Sequence, residues 1–136
     1  APTLTLELCA PENPHTHLSV TEVTLPGTGG VFTVHPEHTP LLSTLKPGVL
    51  VATDGEGATH HFAVHGGFAE VKGESVVVLA DYYEPSDDID DARAAEAAGR
   101  AQALLNKPPE DMDWQRAELA LARSLARTKA SNKQGY

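Results

Sequence analysis

The first part of the chain alternates apolar and polar residues with the period of β-strands. Leu4, Leu6 and Leu8 are each flanked by polar residues, so one face of this segment is buried and the other faces water. Further along, the alternation changes phase between residues 18–20 and 23–25. One extra residue turns all following side chains to the other face, and the pattern therefore predicts a β-bulge near residues 21–22.

Turn signals divide the rest of residues 1–84 into short strands. Asp54-Gly55-Glu56-Gly57 and Lys72-Gly73-Glu74-Ser75 each join two apolar segments, which predicts two β-hairpins. The Gly-rich residues 26–30 predict a turn before a short strand over residues 31–34. Eight or more short strands, separated by turns every 8–12 residues or so, are typical of a β-sandwich or a β-barrel.

From residue 85 onward the pattern becomes helical. Alanine is frequent between residues 92 and 103, and Ser86 with the acidic residues up to 91 suits a helix N-terminus. The Asn106-Lys107-Pro108-Pro109 segment ends this helix, and Asp111 or Asp113 can cap a second one. A short connection between two helices predicts an antiparallel hairpin over residues 85–136, with a frayed tail from residue 131.

The second helix carries two stripes on roughly opposite faces. One is apolar and predicts the packing face, and the other is cationic. The apolar stripe consists of Trp114, Ala117, Leu121 and Leu125, and the cationic stripe of Arg116, Arg123 and Arg127. Arg93 and Arg100 share a face of the first helix, so a closed hairpin would gather four or five arginines into one anion site. The alternative is a solvated face on which these arginines pair with neighbouring acids such as Glu96.

Composition and charge exclude several classes of protein. The 136 residues carry a net charge of −9, and so acidic a chain is a poor ligand for the phosphate backbone of nucleic acids. The single cysteine, Cys9, rules out a disulfide within the chain and is expected to be a small packed side chain rather than a nucleophile. No apolar run approaches the roughly 18 residues that span a bilayer, and the first residues lack the order of a signal peptide. We therefore expect a soluble protein of a reducing compartment.

Seven histidines, all before residue 66, raise the question of a metal site. The candidate fragments are His15-x-His17, His35-x-x-His38 and His60-His61 with His65. Because companion carboxylates at a defined spacing are missing, the sequence predicts no metal site and assigns these residues to surface, turn or packing roles. The Gly-rich residues 26–30 and 65–67 do not lead into a helix, and we expect tight turns or close strand crossings there rather than phosphate loops.

Three segments resemble the epsilon subunit of F-type ATP synthase, of the bacterial type. Residues 26–48 are similar to the family's PG-x-x-G … P-x-H-[AT]-PLL-[ST]-x-[LI]-KPG signature, and residues 62–71 with 78–81 form the second segment. Residues 89–94 resemble the [IL]-D-x-x-R-A motif. The resemblance implies a β-sandwich of about ten strands over residues 1–84, followed by a C-terminal antiparallel two-helix hairpin over residues 85–136.

The resemblance also implies a function. The subunit would belong to the central stalk of a proton-translocating ATP synthase and would not itself be an enzyme. Its sandwich would dock on the gamma subunit and the c-subunit ring, so that rotation of the ring is coupled to catalysis. Its hairpin would extend along gamma, contact the alpha and beta catalytic subunits and inhibit ATP hydrolysis. The subunit would lie on the cytoplasmic face of the bacterial plasma membrane without entering the bilayer.

The resemblance also implies roles for particular residues. No cofactor is required, but ATP is implied as a regulatory ligand of the folded hairpin, bound without an evident metal site. Its contacts would be Glu84, Ile89, Asp90, Arg93, Ala94, Arg100, Arg123 and Arg127. Arg116, Arg123 and Arg127 would contact an acidic helix-turn-helix of the catalytic subunits. The rotor interface would include His38 and Val31, although many members have Glu at the position of Val31.

A second reading of the chain does not use the resemblance. In it, residues 1–84 are a free-standing β-sandwich that binds a metal or a small ligand through its histidines, and the hairpin serves as a dimerisation element. A rotor subunit would co-purify with gamma, whereas a metal-binding module would hold stoichiometric metal.

Overall fold

Nine β-strands precede two α-helices in the computed structural model, which describes residues 2–134. The strands are β1 (Leu4–Ala10), β2 (Asn13–Gly27), β3 (Gly30–Val34), β4 (Leu41–Leu45), β5 (Gly48–Asp54), β6 (Thr59–Val64), β7 (Gly67–Lys72), β8 (Ser75–Ala80) and β9 (Tyr83–Pro85). They are hydrogen-bonded in the order β1-β8-β7-β4-β2-β5-β6-β9, while β3 pairs with β2, and β1 also pairs with β2. All pairings are antiparallel except that of β1 with β8.

The 15-residue strand β2 joins the two parts of this network. Its first half pairs with β1, and its second half pairs with β3 and β5. The register against β5 shifts between Val20 and Glu22, which confirms the predicted bulge. The inward side chains of the strands form one buried cluster, in which Leu4, Leu6 and Leu8 are joined by Leu25 and Leu50. Alternation along the sequence therefore identified the buried face correctly.

The two predicted hairpins are confirmed as β5–β6 and β7–β8. Gly66 and Gly67, at the start of β7, permit a close strand crossing, as expected, and lead into a strand rather than into the helix that a phosphate loop requires. Gly67 has a φ of 106°, and a Cβ atom there would lie 2.1 Å from the backbone oxygen of Leu79. A side chain at this position would therefore force β7 and β8 apart.

The helices are α1 (Asp91–Asn106) and α2 (Trp114–Ser131). The side chain of Asp90 accepts a hydrogen bond from the backbone N–H of Arg93 (3.1 Å), and Asp113, rather than Asp111, does the same for Arg116 (3.1 Å). Ser86–Asp88 forms a separate 3₁₀ turn, so α1 begins later than the acidic cluster suggested. The helix begins at Asp91 because the side chain of Asp90 caps its first turn.

The packing face of α2 agrees with the predicted apolar stripe at Ala117 but differs from it at Trp114 and Leu125. The buried residues of this helix are Ala117, Ser124, Ala126 and Ala130. Trp114 is 50% exposed and Leu125 is 45% exposed. The partner helix buries only Ala94 and Ala101, and such small side chains allow the two helix backbones to approach closely. Large side chains do not fit that interface and lie at its margins.

The predicted frayed tail is wrong for residues 131–134, because the end of α2 is held against the sandwich. Ala130 is fully buried with Val49 and Ala63. Ser131 donates a hydrogen bond to Asp91 at the start of α1 (2.8 Å), and Lys133 pairs with Asp87 (2.7 Å). These contacts make the hairpin antiparallel, as predicted, and dock it on β5 and β6. Residues 135 and 136 lie outside the described residues.

Between residues 2 and 134, neither helix is long and apolar enough to cross a membrane.

Candidate functional site

A cluster of three charged or titratable side chains joins the sandwich to the hairpin. Glu84 lies on β9, and its Oε1 atom accepts a hydrogen bond from Nε of Arg127 on α2 (2.6 Å). The same oxygen lies 3.0 Å from Nε2 of His65, which follows β6 and is only 2% exposed. The Glu84 side chain is 18% exposed and that of Arg127 is 32% exposed. One carboxylate oxygen therefore links β6, β9 and α2.

The environment of Glu84 favours its charged form. Burial by itself would raise the pKa of this carboxyl group. The hydrogen bonds from His65 and Arg127 and the positive charge of Arg127 outweigh burial, and the pKa of Glu84 is lowered below its ordinary value. The ionised carboxylate is thus the form that holds the hairpin to the sandwich.

The lowered pKa of Glu84 makes hairpin docking dependent on pH. Above the ordinary pKa of a glutamate the stabilisation is fully present, and it is lost as the pH falls through the lower folded-state pKa. We expect acidification from pH 7 to below pH 4 to reduce the free energy of unfolding more in the unmodified protein than in Glu84→Gln. Urea titrations at several pH values measure this difference. The pKa of Asp87 is also lowered, by its hydrogen bond from Lys133 and then by that residue's charge, but it contributes equally in both proteins. Parallel pH profiles would contradict the prediction.

A cleft of about 380 Å³ opens beside this cluster, between α1, α2 and β9. Its walls are formed by Glu84, Asp88, Ile89, Asp90, Arg93, Ala94, Ala97, Arg100 and Arg127. Seven of the eight residues expected to contact ATP are among them, and Arg123 is the exception. Arg93 and Arg100 of α1 thus face the same space as Arg127 of α2. Three arginines from two helices line it, rather than the four or five that the helical spacing predicted.

The other two arginines of the predicted cationic stripe lie elsewhere. Arg116 is exposed and lines a second cleft of about 460 Å³ between the helices, together with Leu104 and Met112. Arg123 is half-buried, one turn before Arg127, and its Nε atom has no hydrogen-bond partner among residues 2–134. In the folded hairpin, therefore, the stripe is not one continuous cationic surface.

The expected rotor-interface residues lie at the sandwich surface. Val31 is 43% exposed on β3. His38 is half-buried in the connection between β3 and β4, where its Nδ1 atom lies 2.6 Å from the backbone oxygen of Thr39. Neither residue contacts the cleft at the hairpin.

Sequence reasoning missed His65, Asp88 and Ala97. His65 was considered only as a partner of His61, but His61 lies opposite Val51 on β5 while His65 pairs with Glu84. A signal was present, because His65 directly follows the apolar residues 62–64 and a histidine there continues a buried strand. Burial of its ring called for a polar partner, although the sequence does not say which one.

The chain matches two family descriptions that together cover nearly all of it. Residues 3–86 match the beta-sandwich domain of the ATP synthase Delta/Epsilon chain, and residues 87–132 match the long alpha-helix domain of the same chain. The ATP synthase epsilon chain of Moorella thermoacetica is 40% identical over 128 residues, which are 94% of this chain and 96% of that relative. The ATP synthase epsilon chain of Nitratidesulfovibrio vulgaris (strain DP4) is 44% identical over 124 residues, 91% of this chain and 92% of the relative.

Solved structures show the same fold. A chain of the Euglena gracilis mitochondrial ATP synthase (OSCP/F1/c-ring assembly) superposes with a TM-score of 0.81 at 24% identity, over 93% of this chain and 79% of that one. A chain of the Tetrahymena thermophila mitochondrial ATP synthase (central stalk/c-ring) gives a TM-score of 0.57 at 14% identity, over 97% and 96% of the two chains.

The alternative hypothesis, a free-standing sandwich that binds a metal or a small ligand, does not account for these matches, because they cover the sandwich and the helical hairpin together. The curated relatives also match over more than nine-tenths of their length. The chain belongs to the epsilon chain family of ATP synthase, a non-catalytic subunit of that complex.

Proposed function

We propose that this central-stalk subunit senses ATP with its helical hairpin and thereby regulates ATP hydrolysis by the complex. One observation carries the proposal: the cleft beside Glu84 brings Arg93 and Arg100 of α1 together with Arg127 of α2. A ligand bound there touches both helices and the strand from which they extend. It therefore stabilises the folded hairpin over any extended form.

The polyphosphate is the part of ATP that the arginines suit. A guanidinium group has five N–H donors in a planar fork and can bond two phosphate oxygens at once. Arg127 uses its Nε–H to bond Glu84, which is itself held by His65. The terminal nitrogens of Arg127 make no hydrogen bond to another of residues 2–134, so in this proposal Glu84 and His65 orient Arg127 rather than compete for the ligand.

The other cleft residues suit the rest of the nucleotide. Ile89, Ala94 and Ala97 give the wall an apolar part, on which a base can pack. Asp90 is the N-cap of α1 and fixes the first turn of that helix, from which Arg93 extends. Arg123 stays in the proposed site because it lies one turn from Arg127, although it does not line the cleft. The proposal requires no metal ion or other cofactor.

ATP binding would favour the folded hairpin through mass action. A ligand that binds only one of two states stabilises it by RT ln(1 + [L]/Kd). At high ATP concentration the hairpin stays docked. At low ATP concentration it is released more often, and the subunit inhibits hydrolysis.

The released hairpin would act on the alpha and beta catalytic subunits. In the folded state Arg127 is bonded to Glu84 and Arg123 is half-buried, so two of the three stripe arginines are less accessible to another subunit than they would be on an extended helix. Trp114 and Leu125, which are left half-exposed by the folded packing, are further surface that an extended helix can place against another subunit. This arrangement supports a hairpin with two states.

The sandwich would supply the constant attachment to the rotor. We place its contacts with the gamma subunit and the c-subunit ring on the surface that includes Val31 and the loop around His38. In a bacterial cell this location puts the subunit on the cytoplasmic face of the plasma membrane. The exposed Val31 in place of an acidic residue makes that contact apolar in character.

Calorimetric titration of the full chain with ATP tests the proposed site. We expect saturable binding with one ATP per chain, and we expect Arg93→Ala and Arg127→Ala each to weaken it at least tenfold. A charge-assisted hydrogen bond contributes about 1.5–3 kcal/mol, which corresponds to a factor of roughly 10 to 140.

Arg116→Ala is the matched control, because it removes the same charge from a residue outside this cleft. It should bind ATP like the unmodified protein. Absence of heat at millimolar ATP, or an equal loss in Arg116→Ala, would contradict the site.

A further inference from the structure

Two histidines and a glutamate converge on the outer face of the sandwich, at β1 and β2. Glu7 lies on β1 directly opposite His17 of β2, and His15 lies two residues earlier on β2, so all three side chains share one face. One ligand atom from each of the three lies within 4.8 Å of the other two. The imidazole rings of His15 and His17 have their centroids 4.2 Å apart.

Strand pairing supplies the carboxylate that the local sequence lacks. The His15-x-His17 fragment has no acidic residue at a metal-binding spacing on its own strand, and for that reason the sequence predicted no metal site. Glu7 is ten residues away from His17 in sequence, but the antiparallel register of β1 and β2 places it beside both histidines. The three residues therefore form a two-histidine, one-carboxylate set.

The distance between the ligand atoms of Glu7 and His17 fits one edge of a tetrahedral metal site. Bonds of about 2.0–2.2 Å from zinc to nitrogen and oxygen give ligand–ligand distances of roughly 3.3 Å in a tetrahedron. The Nδ1 atom of His17 lies 3.4 Å from Oε1 of Glu7. That distance is long for a hydrogen bond but close to one edge of such a tetrahedron.

The backbone that carries these ligands is held in place from the inner side. Tyr83 is buried beneath the β1–β2 hairpin, and its hydroxyl group donates to the carbonyl of Pro14 and is hydrogen-bonded to Thr16 (2.8 Å). The side chain of Asn13 donates to the backbone oxygen of Tyr83 (2.9 Å). Residues on both sides of His15 are thus anchored, which holds the backbone of the proposed ligands in place.

We infer that Glu7, His15 and His17 bind a divalent transition-metal ion of the zinc class, with a fourth position open to water. Two imidazoles and one carboxylate favour Zn²⁺, Co²⁺ or Ni²⁺ over Mg²⁺, which prefers oxygen ligands alone. The bound ion would join β1 to β2 across the start of their hairpin. This site is independent of the nucleotide cleft, which is lined by residues 84–127.

Titration of the full, untagged chain with ZnCl₂ in a chelator-free buffer tests the inference. We expect binding of one Zn²⁺ per chain, a rise in the melting temperature that saturates with zinc, and no such rise with MgCl₂. Co²⁺ in place of zinc should give the intense visible absorption of a tetrahedral ion. Absence of saturable binding at micromolar zinc would overturn the inference, as would the weak absorption of octahedral cobalt.

Substitutions assign the ligands. His15→Ala, His17→Ala and Glu7→Gln should each weaken zinc binding at least tenfold, while ATP binding stays unchanged. His35→Ala removes another exposed histidine of the sandwich and serves as the control, with unchanged zinc affinity expected. Full binding by the His15→Ala/His17→Ala double variant, or an equal loss in His35→Ala, would place the metal elsewhere and overturn the assignment.

Discussion

Replacing Glu84 with alanine is expected to release the hairpin from the sandwich. The substitution leaves the buried Nε2 of His65 and the Nε of Arg127 without their shared acceptor. Removing one partner from such a cluster costs about 2–3 kcal/mol at this partial exposure, or roughly a 30- to 140-fold change in the docking equilibrium. Hydrogen exchange measures the result: amides of α1 and α2 should exchange faster, while those of the buried strands keep their protection.

Glu118→Ala is the matched control for this experiment. Glu118 is an exposed glutamate on α2, and its replacement should leave hydrogen exchange unchanged. A double-mutant cycle between Glu84→Gln and Arg127→Ala then separates the pairwise interaction from general destabilisation. Unchanged exchange of α2 in Glu84→Ala would show that the buried Ala130, rather than the charged cluster, holds the hairpin.

Replacing Arg116, Arg123 and Arg127 together with alanine is expected to remove inhibition of ATP hydrolysis in the assembled complex. Each exposed ion pair with an acidic partner surface contributes only about 0–1 kcal/mol and is screened by salt. Three together can supply up to about 3 kcal/mol, so inhibition should fall by as much as roughly 140-fold and lose its salt dependence. Steady-state hydrolysis at two ionic strengths measures both effects.

The single substitutions should differ in their effects, because the three arginines have different surroundings in the folded hairpin. Arg116 is exposed in the folded state, and Arg116→Ala should weaken inhibition without changing ATP binding. Arg127→Ala would remove a proposed inhibitory contact and also removes the bond to Glu84, so its two effects should oppose each other. The triple lysine variant keeps the charge and should remain inhibitory. Full, salt-dependent inhibition by the triple alanine variant would contradict the electrostatic account.

Arg127 thereby gives the proposed regulation a simple physical basis. Its guanidinium group bonds Glu84 in the folded hairpin and, in the proposed regulation, would also bond ATP there, or an acidic subunit surface in an extended hairpin. Both proposed states would use this residue, so whatever strengthens its folded contacts would oppose inhibition. His65 acts on the same balance indirectly, since it holds the carboxylate that orients Arg127.

Much of the fold was predictable because the signals are local. Three signals depend only on residues that are close together in the sequence, where strand geometry and turn chemistry dominate. They are the alternation over residues 4–8, the phase change before Val23 and the turn residues after Asp54. The helix break before Pro108 is local in the same sense. Helical spacing also predicted that arginines of the two helices would line one site, whereas Glu84, Ile89, Asp90 and Ala94 were predicted through resemblance to a family.

The sequence by itself therefore determined the strands, the bulge, the two helices and which residue types could serve an anion site. Only the tertiary structure decided that His65 and Arg127 share one oxygen of Glu84, that small residues rather than Trp114 pack the hairpin, and that Glu7 lies beside His17. The physical reason is common to all three. Periodicity reports which side of an element is apolar, whereas contacts between distant residues depend on strand register and on how closely two backbones can approach, and neither quantity is encoded in a local pattern.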